Sequence, residues 1–134
     1  MARNLLPRQS SRILLVDAST GSTEVVFESA TVLVEAPNWT PDGRELVVNA
    51  DGLLWRLPVS GGRLTPVPMP GVPEINNDHV LAPSGGFAYV SGRDGHLYEV
   101  PWPAARCAGS RETIRIGPTS TTSTVSRPTA ARSP

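Results

Sequence analysis

The sequence predicts an all-β chain built as an incomplete β-propeller, about two four-stranded blades preceded by a hairpin. Three observations predict it. The first is a repeat. Glu35–Pro58, EAPNWTPDGRELVVNADGLLWRLP, has a degraded copy at Asn77–Pro101, NDHVLAPSGGFAYVSGRDGHLYEVP. The second is its period. Pro41 to Pro83 spans 42 residues, Gly52 to Gly95 spans 43, and Leu57 to Val100 spans 43. Propeller blades of the WD type recur at roughly 40–45 residues. The third is the apolar alternation, which has period two and leaves no helical period to compete with it.

The elements follow in chain order. Met1 to Ser10 reads as a flexible arm, so the blades occupy 11–101 and a tail of different character occupies 102–134. Ile13–Val16 and Glu24–Phe27 are β-rich runs around Ser19-Thr20-Gly21-Ser22. This is hairpin chemistry, with Gly21 free to take positive φ. Glu24 and Glu28 suit an outer edge that should not pair further. Ala30 to Val34 links the hairpin to the first full blade.

In that blade, Thr40-Pro41-Asp42-Gly43 sets a turn, with Pro41 fixing φ and Gly43 taking the left-handed exit. Glu45–Asn49 and Leu53–Leu57 flank Asp51-Gly52, a strong hairpin signal. Leu53, Trp55 and Leu57 fall on one face, Leu54 and Arg56 on the other. Ser60-Gly61-Gly62 then turns the chain, and Pro66, Pro68, Pro70 and Pro73 end regular pairing in a short outermost strand and a loop. The copy repeats the plan. Ala82-Pro83-Ser84-Gly85 stands for the first turn and Asp94-Gly95 for the second. Trp39, Trp55 and Tyr98 are sized to fill gaps between blades, and the expectation for all three is core packing.

Composition narrows the function classes. Twelve basic and twelve acidic residues cancel, so no global field favours nucleic acid or an anionic membrane surface. None of the basic residues is Lys, which removes Schiff-base chemistry. A lone Cys107 makes neither an internal disulfide nor a paired-cysteine zinc site. The first residues lack the apolar core of a signal peptide, and no run approaches the roughly 20 apolar residues of a membrane span. The expectation is a cytoplasmic chain with no membrane insertion, no nucleic-acid partner, no cofactor and no metal.

The runs WTPDGRELVV (Trp39–Val48), DGLLWRLPVSGG (Asp51–Gly62) and NNDHVLAP (Asn76–Pro83) resemble TolB-like propeller proteins. Blades of that family carry a W-S-P-D-G turn, a hydrophobic strand, and a strand ending before a G-G turn. The resemblance covers Arg12 to Pro101. It implies a ring of about six to eight blades used mainly for protein–protein contact. In the family's namesake the contact is with a periplasmic partner in the Tol envelope system. Without a signal peptide that location does not transfer. Ser84 also departs from the pattern, replacing the Asp of the second turn.

Residues 102–134 hold five Arg, one Glu and a Thr/Ser run without β-period. One expectation is a disordered basic tail. The other is translation in a shifted frame. Reading each codon from the third base of one residue, Val125–Pro134 becomes compatible with GVSPDGRTLA and Trp102–Ala108 with VAGGxVR. The restored turn proline falls near position 128, 45 residues after Pro83 and again one blade on. On this reading the chain is the N-terminal fragment of a longer propeller. Its last blade then has an open face and edge through which it can self-associate.

Asn76, Asn77, Asp78 and His79 form the densest polar cluster. The repeat places them at the start of an innermost strand, facing the central channel. An imidazole beside a carboxylate can bind a ligand or exchange protons. The same residues can also bond their own backbone and the neighbouring blade. His96, after an Asp-Gly turn, reads as a solvated strand residue. There is no nucleophile elbow and no phosphate loop, so no catalytic residue is assigned. Asn38-Trp39-Thr40 matches a glycosylation sequon but is discounted, with Trp39 expected to be buried.

The expected function is a non-enzymatic propeller scaffold with a protein partner. The alternative is a sugar-binding or lyase/hydrolase-type propeller using Asp78 and His79 at the channel mouth, an analogy from fold. A third possibility is a ring completed by homo-oligomerisation.

Overall fold

A computed structural model describes residues 3–102 and 114–116, and it is all-β, with ten strands in three antiparallel sheets among those residues. β1 (Ser11–Val16) and β2 (Thr23–Ser29) form a two-stranded sheet. β3 (Glu35–Trp39), β4 (Glu45–Ala50), β5 (Leu53–Pro58) and β6 (Thr65–Pro66) form the first blade in that spatial order. The second blade holds β7 (Ile75–Leu81), β8 (Phe87–Gly92), β9 (Leu97–Pro101) and β10 (Ile114–Ile116), again in sequence order from the inner strand outward. The expected architecture, an incomplete propeller, is the architecture found.

Strand alternation explains why the sheets stack. On β4, Leu46, Val48 and Ala50 point to one side and Val47 and Asn49 to the other, all of them buried. The first set packs with Leu57, Ile13, Val26 and Val34, closing a core between the hairpin and blade 1. Val47 packs with Leu54, Ile75, Ala88, Val90, Tyr98 and Val100, closing a second core between the two blades. Blade 1 is therefore covered on both faces, which its continuous apolar run Leu46-Val47-Val48 requires.

The first turn keeps one geometry in both copies. Gly43 and Gly85 have φ of 70° and 72°, and their N–H groups donate to the Thr40 and Ala82 carbonyls at 2.9 and 2.8 Å. Thr40 adds side-chain bonds that Ala82 cannot make, while the Asp42 acceptor has a weaker counterpart in Ser84 Oγ, 3.5 Å from the Gly86 N–H. The Thr40 hydroxyl donates to Asp42 Oδ1 at 2.6 Å, and Asp42 Oδ1 also accepts from the Arg44 N–H at 3.1 Å. The Thr40 hydroxyl bond, then the Arg44 N–H, hold the Asp42 carboxyl below its usual range.

The two Asp-Gly turns differ. Asp51 and Gly52 both have positive φ, 52° and 73°, the two-residue hairpin turn. In the copy, only Gly95 is left-handed, and the Gly92 N–H closes a longer loop onto the His96 carbonyl at 2.8 Å. The Asp94 carboxylate stabilises that loop by accepting from the Tyr98 hydroxyl at 2.6 Å and the His96 N–H at 3.1 Å.

Four expectations need correction or extension. Trp39 is 54% exposed, whereas Trp55 is half-buried and Tyr98 is buried. The cause is geometric: the hairpin sheet has only two strands, and its core with blade 1 involves β4 and β5 but no residue of β3. Trp102, assigned to the tail by sequence, is 7% exposed. It belongs to the core between the blades and lies under the Arg56 guanidinium at 5.7 Å. β10 falls within the stretch expected to lack β-period, and it takes the outermost place in blade 2 by pairing with β9. The arm expected to be flexible is tied to blade 1 through an ion pair between Arg3 and Glu35. The remaining residues of the 102–134 stretch, with the Thr/Ser run, Cys107 and the frame-shift reading, lie outside the described residues.

Candidate functional site at the inner strands

The two innermost strands, β3 and β7, run beside each other and are joined through side-chain amides. Asn38 on β3 donates through Nδ2 to the His79 carbonyl at 3.2 Å. Asn49, 4% exposed on β4, donates through Nδ2 to the Asn76 carbonyl. These two asparagines clamp blade to blade, and sequence reading did not single them out for that role. The available signal was Asn49 itself, a polar residue in the inward register of Val47. A buried amide there needs a partner, and the nearest backbone supplies it.

The four predicted residues lie together on β7 but take different parts. Asn76 is half-buried and fully engaged. Its Nδ2 donates to Ser91 Oγ at 3.1 Å, and its Oδ1 accepts from the Asp78 N–H at 2.7 Å. The second bond bends the chain where the β7–β8 register shifts between Ile75 and His79. Asn77 and Asp78 are exposed. His79 pairs with Val90 and turns toward blade 1, while Val80 pairs with Tyr89 on the open face.

Both ring nitrogens of His79 are buried without a hydrogen-bond partner. Desolvation depresses its pKa from the ordinary 6.5. The Val47 backbone and the Asp78 charge pull the other way and are outweighed. The Val47 backbone is close enough to favour the charged ring slightly, without closing a bond of normal geometry. A neutral imidazole facing the interior is better suited to packing than to proton exchange with bulk solvent.

A consequence follows for pH dependence. The folded chain holds His79 neutral, while the unfolded chain takes up the proton near pH 6.5. Stability should therefore fall as pH drops below about 6.5 and level off below the folded-state pKa. Urea unfolding from pH 8 to 5 should show that slope. His79→Leu should remove it and cost little at pH 8, because both unpartnered nitrogens go with the ring.

Beside this strand pair lies a cleft of about 490 Å³. Ala36, Pro37 and Asn38 form one wall; Asn77, Asp78 and Val80 with Tyr89 and Leu97 form the other. Ala36 holds a positive φ of 50°, where the β3–β4 pairing shifts between Glu35 and Asn38. His96 is half-buried rather than solvated, with Nδ1 at 3.2 Å from Asp94 Oδ2. Among the described residues, no group of His, Cys, Asp and Glu is placed to hold a metal ion.

No family model matches the chain. Over 82 residues it is 38% identical to an uncharacterized protein of Agrobacterium fabrum, a match covering 60% of this chain and 28% of that one. It is also similar to a solved structure of a protein designated a TolB candidate in Agrobacterium tumefaciens. There the identity is 34% and the TM-score 0.62, over 69% of this chain and 34% of the other. The fold is TolB-like. The chain spans about a third of the length of these relatives.

Proposed function

We propose that this chain acts as a non-enzymatic propeller scaffold that makes contact with a protein partner. The observation that carries the reading is the exposed Trp39 on β3, the inner strand that also supplies one wall of the cleft. A large aromatic residue exposed on a strand of a packed sheet has the make-up of a contact centre between proteins. The TolB-like fold supports a scaffold role without identifying the partner.

The test is a photo-crosslinking residue placed at Trp39 or Asn77, with Gly21 at the hairpin tip as control. The expected result is a discrete protein adduct from the first two positions and none from the third. Equal labelling at all three, or none at any, overturns the reading.

The cleft itself favours a second reading, a sugar or other polar ligand held by Asn77, Asp78 and Tyr89. Saturable binding of an oligosaccharide, lost on Asp78→Ala, would displace the first reading. We also propose that residues after Pro101 derive from a shifted frame. An intact blade-encoding frame downstream of that codon in the coding DNA supports this, and its absence rejects it.

A further inference from the structure

The three sheets stack in a series, and each junction uses one face of each sheet. The hairpin meets blade 1 through Ile13 and Val26, and blade 1 meets blade 2 through Val47 and Leu54. Among the described residues this leaves one apolar face open at each end of the stack. On the hairpin, Leu14, Val16 and Val25 are 52%, 62% and 49% exposed. Leu14 pairs directly with Val25, so they form one patch opposite the buried Ile13. On blade 2, Val80, Tyr89 and Leu97 are 57%, 37% and 54% exposed, with Val80 paired to Tyr89.

We propose that the open face of blade 2 docks onto the open hairpin face of a second copy of this chain. The contact is head-to-tail and continues the junctions already present within the chain. Each open patch lies on the reverse of a face that already packs sheet against sheet, so a second copy offers the same kind of surface in the same order. The formal net charge is zero, so no long-range repulsion opposes association of copies. Each chain contributes two four-stranded blades and a two-stranded hairpin, and a dimer therefore brings together four blades and two hairpins. That lies within the roughly 4–8 blades of closed propellers. A head-to-tail contact that closes gives a ring, and one that does not close gives a filament.

Sedimentation equilibrium of the 134-residue chain, with Leu14→Glu and Leu97→Glu variants, tests this. Both positions are exposed, and unchanged circular dichroism and thermal midpoints check that the variants fold. The expected result is a concentration-dependent dimer, or a larger head-to-tail species, weakened at least about tenfold by either substitution. An equimolar mixture of the two variants should recover association, because one unmodified contact forms in the mixed pair. A wild-type chain that is monomeric at all concentrations overturns the proposal. So does a dimer disrupted by only one of the two substitutions, since that signals like faces pairing with each other or with another segment.

Discussion

Leu54→Ala should destabilise the chain by about 2–5 kcal/mol, the range for truncating a fully buried leucine. Leu54 is 0% exposed and sits in the core shared by the two blades, among Val47, Ile75, Val90 and Val100. Its neighbours are strand residues fixed by ladder bonds, so they have little freedom to collapse into the space. Leu57 is equally buried three residues along, but it packs on the hairpin side. Leu57→Ala should cost a similar amount and act elsewhere. Denaturant titration gives the two magnitudes. Amide exchange should locate the losses, with β7–β9 losing protection in the Leu54 variant and β1–β2 in the Leu57 variant. Identical exchange patterns would contradict the two-core arrangement.

Gly92→Ala is the second large effect, about 1–3 kcal/mol through overpacking. An added Cβ would lie 2.7 Å from Asp94 Oδ1, 2.8 Å from the Tyr98 ring and 3.3 Å from Pro73. None of these gives way easily. The Asp94 carboxylate is held by the Tyr98 hydroxyl and the His96 N–H, and Tyr98 is itself buried in the core between the blades. Gly86→Ala is the matched control, with Ser84 Oγ at 3.9 Å as its nearest neighbour, and should change stability by no more than about 0.5 kcal/mol. Thermal melts of the two variants compare them directly. An equal midpoint for Gly92→Ala and wild type would mean that the Asp94–Tyr98 bond is not a constraint.

How much of this was legible in the sequence depended on whether the governing interaction was local. The Thr40-Pro41-Asp42-Gly43 turn was, because proline and glycine fix its dihedrals within four residues. The copy at Ala82–Gly85 keeps the backbone geometry even where the threonine hydroxyl bonds are gone and Ser84 accepts only a long bond from the Gly86 N–H. Asp94-Gly95 was not. The dipeptide matches Asp51-Gly52, but Tyr98, four residues on, captures the aspartate and selects a different loop. Trp39 was misjudged for a tertiary reason: the pattern of a blade promises a neighbour on each face, and the hairpin supplies only two strands of one. At the inner strands, the repeat puts Asn76–His79 on one strand, and they lie together on β7. The direction each residue faces was hidden by the bend after Asn76, which sequence spacing does not reveal.

The stacking of three sheets through two separate cores has a consequence for cooperativity. Each sheet contacts its sequence neighbours, so folding free energy is divided between sheet terms and nearest-neighbour junction terms, as in a short linear array. In such an array the end units open first, and the middle unit is the last to lose both supports. Blade 1 occupies that middle place. Unfolding should begin at the hairpin, where a two-stranded unit has one junction to hold it, and the TPDG blade should retain its protected amides longest.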